Sequence, residues 1–186
     1  MMGRNHATSG VLTGALVAWA AHLDPGQATA FIAVTSVASL LPDFDHPSAM
    51  LPRVLGIPGQ LVATFINRVF GHRTLTHSVL GVGVLGAALA FTPRLPTHCY
   101  WAVILGCVTH IVGDMLTVSG VPVFWPIRRV FRVGWMPSFS FRLAWPVARE
   151  IRVGRMRTNG PFERRVMTPL LALGALVSVG LVIAGA

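Results

Sequence analysis

Apolar residues fall into five long stretches separated by polar links, and this alternation is the dominant pattern of the chain. The stretches cover residues 7–23, 27–42, 78–92, 99–119 and 166–186. Each approaches the roughly 20 residues that a helix needs to cross the hydrocarbon layer of a bilayer. Small residues such as Gly10, Gly14 and Ala18 recur in them, as is usual where membrane helices pack closely. The pattern predicts an all-α, polytopic membrane protein of about five transmembrane helices, forming a single domain over residues 1–186.

Two segments of the polar links have patterns of their own. Leu61, Phe65 and Val69 recur at helical spacing opposite Gln60 and other polar residues. This pattern predicts an amphipathic helix lying in the membrane interface, with a re-entrant or sixth short span as the alternative. Residues 131–157 mix aromatics, prolines and arginines. They predict an irregular or hairpin-like basic cover over one end of the protein.

Composition supports membrane insertion, and the arginines predict its direction. The chain has 53% hydrophobic and 11% charged residues, whereas soluble proteins average about 25% charged residues. Its basic residues are all arginine, and of these only Arg94 falls in a link on the opposite side from the others. The positive-inside rule therefore predicts a cytoplasmic N-terminus, an outward C-terminus and location in the inner membrane. The net charge of +9 is concentrated in residues 128–165. It favours contact with anionic membrane lipids and, without a nucleic-acid-binding motif, no contact with nucleic acid.

Histidine and aspartate residues gather at one end of the predicted spans. Imidazole and carboxylate groups are the nitrogen and oxygen ligands of zinc and manganese sites. Ionisable groups near a membrane interior are rare and usually functional. The sequence therefore predicts a metal site facing the cytoplasm. Its candidate ligands are His6, Asp43, Asp45, His72, His77, His110 and Asp114. His22 and His98 fall at the opposite end and are predicted not to bind metal.

The sharpest local motif is His110-x-x-x-Asp114 in the fourth span. A spacing of four residues places both side chains on one face of a helix, which suits two ligands of one metal. Thr117 continues this face and is expected to support the carboxylate. A buried hydrogen-bonded pair without a metal is the alternative.

The other candidate ligands flank the second and third spans. Prolines on both sides of Asp43 and Asp45 predict an extended turn that directs both carboxylates the same way. His46 beside them is a weaker candidate that could simply face water. His72 is predicted to precede the third helix and His77 to lie in its first turn, with Thr74 or Thr76 as the cap. Arg73 would then lie beside the site, where its planar fork suits a phosphate or carboxylate.

Together these motifs resemble a known family. Asn5-His6, Pro42-Asp43-Phe44-Asp45, His72-Arg73-x-x-Thr76-His77-Ser78 and His110-x-x-x-Asp114-x-x-Thr117 match, in order, the membrane-bound metal-dependent hydrolases typified by a LexA-regulated inner-membrane protein. Residues 158–163 are similar to that family's closing segment, which implies Glu163 as a ligand or supporting residue. The ligand set also resembles, more distantly, zinc-dependent phospholipase C. The resemblance implies a polytopic protein with a hydrolytic metal site.

The motifs and the resemblance lead to one leading function. We expect a membrane-bound metal-dependent hydrolase that holds two divalent ions, zinc or else manganese, and acts on a phosphoester or lipid-type substrate. Asp45 is expected to serve as a ligand or as the general base, and Arg73 to neutralise substrate charge. A metal transporter or sensor without hydrolytic activity is the alternative, although a transporter needs ligands along a path across the membrane. A purely structural protein with satisfied core histidines is the third interpretation.

Overall fold

The computed structural model describes residues 1–126, 142–144, 147–150 and 156–185, and within these residues the protein is predominantly helical. Its α-helices are α1 (Gly3–Ala20), α2 (Pro25–Ala38), α3 (Met50–Val54), α4 (Gly56–Phe70), α5 (Val79–Ala90), α6 (Thr97–Met115) and α7 (Thr168–Ala184). Two 3₁₀ turns (Pro42–Asp45 and Leu75–His77) and one π-helical turn (Glu163–Met167) connect them. Strands β1 (Arg142–Ala144) and β2 (Val147–Glu150) pair in an antiparallel hairpin.

The five apolar stretches correspond to α1, α2, α5, α6 and α7, so the helical class is confirmed. Among the described residues, two helical segments, Pro25–Asp45 and Glu163–Ala184, are long and apolar enough to cross a membrane. Val79–Ala90 is a shorter apolar helix. The count of five spans therefore stays a prediction.

Helices α1, α2, α6 and α7 form the body of the protein, with α1 packed against the other three and α2 packed against α6. Close approach depends on glycine. A Cβ atom on Gly10 of α1 would lie 2.7 Å from the Ser36 Cα of α2, and one on Gly106 of α6 would lie 2.6 Å from the Thr35 carbonyl oxygen. Alanine at either position would push the helices apart.

Local sequence signals explain where two of the helices begin. The Asp24 carboxylate accepts a hydrogen bond of 2.9 Å from the Gln27 backbone amide, ahead of Pro25 at the first position of α2. The Ser78 hydroxyl accepts one of 3.1 Å from the Gly81 amide at the start of α5. The predicted cap at Thr74 or Thr76 is therefore wrong, because the chain first makes the 3₁₀ turn Leu75–His77. His77 consequently precedes the helix instead of lying in its first turn.

The amphipathic stretch forms α4, and much of its apolar surface is exposed. Leu61 and Phe65 are each 65% exposed, and Val69 is 55% exposed. A helix with such a face suits a membrane surface, although its placement there stays a prediction. Within residues 131–157 the hairpin β1–β2 agrees with the hairpin-like segment that was predicted. Residues 131–141, 145–146 and 151–155 of that segment, including Phe139 and Phe141, lie outside the described residues.

The protein has two chemically different ends. Ala18, Ala28, Phe31 and Ala102 form an apolar core at one end of α1, α2 and α6. At the other end of these helices, buried side chains are polar or charged, including His6, His77, His110, Asp45 and Asp114, each 0% exposed. A polar core of this kind requires compensation by hydrogen bonds, ion pairs or a bound ion.

Candidate metal centre

Four segments bring the predicted ligands together at the polar end of the helices. His6 lies in the second turn of α1, Asp43 and Asp45 lie in the 3₁₀ turn after α2, and His77 ends the turn before α5. His110 and Asp114 lie on one face in the last turns of α6, as their spacing predicts. The loop after α2 is a 3₁₀ turn and not the extended turn that was expected, yet both aspartates reach the cluster.

Hydrogen bonds at the Nδ1 atoms of His77 and His110 determine that the Nε2 atoms are the ones available to bind a metal. His110 Nδ1 lies 2.6 Å from the Ser39 carbonyl oxygen and must donate to it. His77 Nδ1 lies 3.0 Å from the Thr76 hydroxyl, whose own hydrogen is donated to Asp45 Oδ2 at 2.8 Å. His77 Nδ1 is therefore also a donor. In the neutral rings both Nε2 atoms then carry lone pairs, and these two atoms face each other at 3.2 Å.

Two carboxylate oxygens complete a set of four ligand atoms around one point. Asp43 Oδ1 lies 3.5 Å from His77 Nε2 and 3.6 Å from His110 Nε2. Asp114 Oδ2 lies 3.7 Å and 3.8 Å from the same two nitrogens. A tetrahedral zinc ion with bonds of about 2.1 Å separates its ligand atoms by about 3.4 Å. These residues therefore fit a tetrahedral metal ion, and a cation between two opposed lone pairs would relieve their repulsion.

Asp43 also belongs to a second group of potential ligands. Asp43, Asp45 and His72 each offer a ligand atom within 4.8 Å of the others, as do Asp43, His77, His110 and Asp114 in the first group. The Asp43 carboxylate is thus common to both groups. A carboxylate with two oxygens can bridge a pair of ions.

Asp45 is held by three donors from the loop that follows α4. His72 Nδ1 lies 2.8 Å from Asp45 Oδ1, and the Arg73 backbone amide and the Thr76 hydroxyl each donate to Oδ2 at 2.8 Å. Arg73 adopts a positive φ of 60°, which turns its amide toward the carboxylate. Because Asp45 orients His72 directly and His77 through Thr76, its contacts are those of a residue that positions metal ligands.

His6 is packed inside the cluster without a hydrogen bond. Its ring stacks on His110 with centroids 3.6 Å apart, and Nε2 lies 3.2 Å from Asp114 Oδ1. Both ring nitrogens are buried and lack a hydrogen-bond partner among the described residues. Gly113 of α6 lies against the ring, where an added Cβ would be in van der Waals contact with His6 Nδ1 at 3.4 Å. A buried imidazole of this kind has the chemistry of an additional metal ligand.

Asp114 is surrounded by positive groups. Arg73 Nη2 lies 2.8 Å from its Oδ2, and the amino group of Met1 pairs with Oδ1. Arg73 therefore lies beside the cluster, as its position in the sequence predicts. One edge of its guanidinium is engaged by a protein carboxylate.

Glu163 supports the site from outside the ligand groups. It is buried, and its carboxylate accepts hydrogen bonds from the backbone amides of Met2 and Asn159, both at 2.6 Å, and from the Asn5 side chain at 2.8 Å. These bonds join the start of α1 to the segment before α7. They agree with a supporting residue more than with the ligand role that the resemblance also allowed.

The remaining candidates lie outside the cluster or play other parts. His46 bonds to Ser48 through Nδ1 and packs edge-on against His72, with centroids 4.9 Å apart. The Thr117 hydroxyl donates to the Asp114 backbone carbonyl at 2.7 Å, so it caps the end of α6 and does not support the carboxylate. His22 and His98 belong to neither ligand group.

Sequence reasoning did not identify two residues that orient the histidines. Ser39 contributes its backbone carbonyl, which any residue type carries, so no sequence signal marks it. Thr76 was considered as a helix cap, and its position next to His77 was the available signal for its contact with the ring.

Fold and site together define a helical membrane protein with a buried histidine–aspartate cluster that could hold a metal. The chain belongs to the family described as YdjM inner membrane protein, which matches residues 1–185. It is 41% identical over 98 residues to the inner membrane protein YdjM of Escherichia coli K12, covering 50% of this chain and 48% of the relative. The match to YdjM of Shigella flexneri has the same extent.

A more distant relative covers more of the chain. The uncharacterized protein YvsG of Bacillus subtilis 168 is 27% identical over 126 residues, covering 68% of this chain and 74% of the relative. The chain spans about half the length of the YdjM proteins it matches. No solved structure is significantly similar to it. The family supports the inner membrane location that was predicted from composition and arginine distribution.

Proposed function

We propose that the protein is a multi-pass, metal-dependent hydrolase that cleaves a phosphoester of lipid type at the cytoplasmic face of the inner membrane. The observation that carries this proposal is the set of four ligand atoms from Asp43, His77, His110 and Asp114, separated by 3.2–3.8 Å where the two histidines are concerned. Buried polar groups arranged in this way are expensive unless they bind something together.

Two ions fit the donor set better than one. Asp43 is shared between a histidine-rich group and the group of Asp45 and His72, and a single zinc ion usually takes four ligands. Zinc is favoured by the imidazoles, and manganese is the alternative because of the carboxylates. Paired divalent ions supply activation of water and stabilisation of the attacking and leaving oxygens of a phosphoester.

The protein's own residues orient these groups and receive the substrate. Asp45 holds His72 and, through Thr76, His77 in their ligating tautomers, and it remains the candidate general base. Arg73, whose Nη2 pairs with Asp114 at 2.8 Å, would neutralise substrate charge with the rest of its guanidinium. An apolar groove of about 380 Å³, lined by Leu85 of α5 and by Phe44 and Thr76 next to the cluster, is suited to a hydrocarbon chain. This groove favours a lipid over a soluble phosphoester.

Metal analysis of the purified protein tests the proposal. Elemental analysis in detergent should find about two equivalents of zinc or manganese per protein. The variants His110→Ala and Asp114→Asn should each contain at least one equivalent of metal less. His98→Ala, which changes the same helix at its other end, is the matched control and should keep both. Phosphoester lipids should then be hydrolysed by the wild type and not by His110→Ala.

Two outcomes would contradict the proposal. A protein that binds no metal after reconstitution would leave a structural role for the histidines. Metal that accumulates inside sealed vesicles carrying the protein, without hydrolysis of any phosphoester lipid, would favour the transporter.

A further inference from the structure

A polar pocket of about 560 Å³ opens next to the metal cluster, and nothing in the proposed mechanism uses it. Three arginines from separate parts of the chain line it, namely Arg4 of α1, Arg53 of α3 and Arg164 of the π-helical turn. Its volume lies within the roughly 300–1,000 Å³ typical of small-molecule sites.

The pocket is lined by three arginines and one carboxylate, Asp43, so positive charge predominates in it. Arg4, Arg53 and Arg164 form no ion pair with any carboxylate among the described residues, although Arg164 Nε donates to the Asn159 side chain at 2.8 Å. Met2 and Gly3 at the start of α1 also line the pocket, and the Met2 amide there already donates to Glu163. An anion would stabilise this arrangement, and guanidinium groups suit phosphate because they offer paired donors.

Asp43 connects this pocket to the metal centre. Its side chain lines the pocket and also belongs to both ligand groups. An anion held by the three arginines would therefore lie next to the phosphoryl group that reacts at the cluster. The metal ions of the cluster would already attract the reacting phosphate. The three arginines of the pocket are therefore available to bind a second anionic group.

We propose that the pocket formed by Arg4, Arg53 and Arg164 binds the second, non-reacting phosphate of a substrate that carries two linked phosphates. The inference rests on the proposed function and names its substrate class as a diphosphate ester. The reacting phosphate would lie at the cluster with its alkyl chain in the apolar groove, and the other would lie among the arginines. Hydrolysis would then add water to the reacting phosphorus and break its P–O bond to the lipid alcohol, which leaves as the free alcohol, with the diphosphate as the second product.

Binding of non-hydrolysable probes tests the pocket without requiring turnover. Calorimetric titration of the metal-loaded protein in detergent should show that methylenediphosphonate binds much more tightly than methylphosphonate. Each of three substitutions should weaken the binding of methylenediphosphonate by about tenfold, the loss in affinity expected for one charge-assisted hydrogen bond. These substitutions are Arg4→Gln, Arg53→Gln and Arg164→Gln. The same variants should leave methylphosphonate binding unchanged. Arg68→Gln removes an exposed arginine of α4 outside the pocket and should change neither.

A second comparison distinguishes a lipid from a soluble diphosphate. A long-chain alkyl ester of methylenediphosphonate in mixed micelles should bind more tightly than the free probe where the substrate is a lipid, and equally where it is soluble. The pocket assignment would be overturned if the arginine variants lost affinity equally for methylenediphosphonate and methylphosphonate. It would also be overturned if they lost affinity for neither.

The test separates this inference from the proposed function. The arginine variants should retain the metal content of the wild type, whereas His110→Ala should not. A metal-free wild type would refute the hydrolase even where the arginines still bind the diphosphonate. A protein with metal whose arginine variants bind both probes normally would refute the pocket alone.

Discussion

At the scale of single residues, Asp45 links two of the histidines through its hydrogen bonds. It contacts His72 and the Arg73 amide directly, and it reaches His77 through Thr76, all at 2.8–3.0 Å. A carboxylate that accepts from metal-ligating histidines fixes their tautomers and raises their basicity. The structure therefore favours Asp45 as a positioning residue, and the general-base role predicted for it is open to a direct test.

Asp45→Asn should lower metal affinity by about 10–100-fold, the usual effect of losing a carboxylate behind a ligating histidine. The amide retains one acceptor but cannot accept from both His72 and Thr76 as the carboxylate does. Competition with a chromophoric chelator measures the change. Asp24→Asn is the matched control, because asparagine caps α2 as well as aspartate does. Unchanged metal affinity with abolished turnover would assign Asp45 the general-base role instead.

The residue scale also shows how far the site could be predicted. His77, His110 and Asp114 were found because imidazoles and carboxylates are rare beside apolar stretches and stand out in the sequence. Ser39 could not be found, because it acts through a backbone carbonyl. The supporting role of Glu163 depends on contacts with Met2 and Asn5, which are distant in sequence and meet only in the folded protein.

At the scale of helices, α2 packs closely against α1 and α6 at two glycines. Gly10 of α1 and Gly106 of α6 both approach the segment from Thr35 to Ser39, where an added Cβ would lie within 2.6–3.0 Å of α2 atoms. Gly106 is one turn before His110, whose Nδ1 bonds to the Ser39 carbonyl. Helix packing and histidine orientation therefore depend on the same contact.

Gly106→Ala should destabilise the protein by about 1–3 kcal/mol, as overpacking does. It should also reduce metal content by moving His110 away from Ser39. Thermal unfolding in detergent and elemental analysis measure the two effects. Gly83→Ala in α5, where a Cβ would meet nothing within 4 Å, is the control and should be neutral or slightly stabilising. Equal effects of the two substitutions would contradict the role assigned to the α2–α6 contact.

The helices themselves were predicted with modest errors at their ends, since long apolar runs determine them. The residues between α2 and α5 were less predictable. Helix α3 was missed because its five residues, Met50–Val54, include Pro52 and are too short to show a period. The turn Leu75–His77 was mistaken for the start of a helix, because the Ser78 cap follows only after it.

At the scale of the whole molecule, charge and polarity are divided between the two ends. The metal cluster and the pocket with Arg4, Arg53 and Arg164 share the polar end. Arg94 follows α5 at the apolar end, near the turn that leads into α6. Among the described residues this distribution agrees with the orientation predicted from the positive-inside rule, which stays a prediction.

Labelling with a membrane-impermeant maleimide tests this orientation. In a background with Cys99 and Cys107 replaced, Thr92→Cys should react in intact spheroplasts, and Ser48→Cys should react only after permeabilisation. Both positions are exposed in the structure, so accessibility to the reagent depends on the membrane alone. The reverse pattern would place the site on the outer face of the membrane.

The contact between α4 and the loop after α2 has a mechanical consequence. Asn67 donates to the Asp45 backbone carbonyl at 2.9 Å, and the Thr74 hydroxyl bonds back to the Gly71 carbonyl at 3.0 Å. The apolar face of α4 is exposed along its length, while its last turn is tied to the residue that aligns two histidines. The end of α4 and the two histidines that Asp45 orients therefore share one anchoring residue, so a substitution that displaces the last turn of α4 is expected to disturb His72 and His77 together.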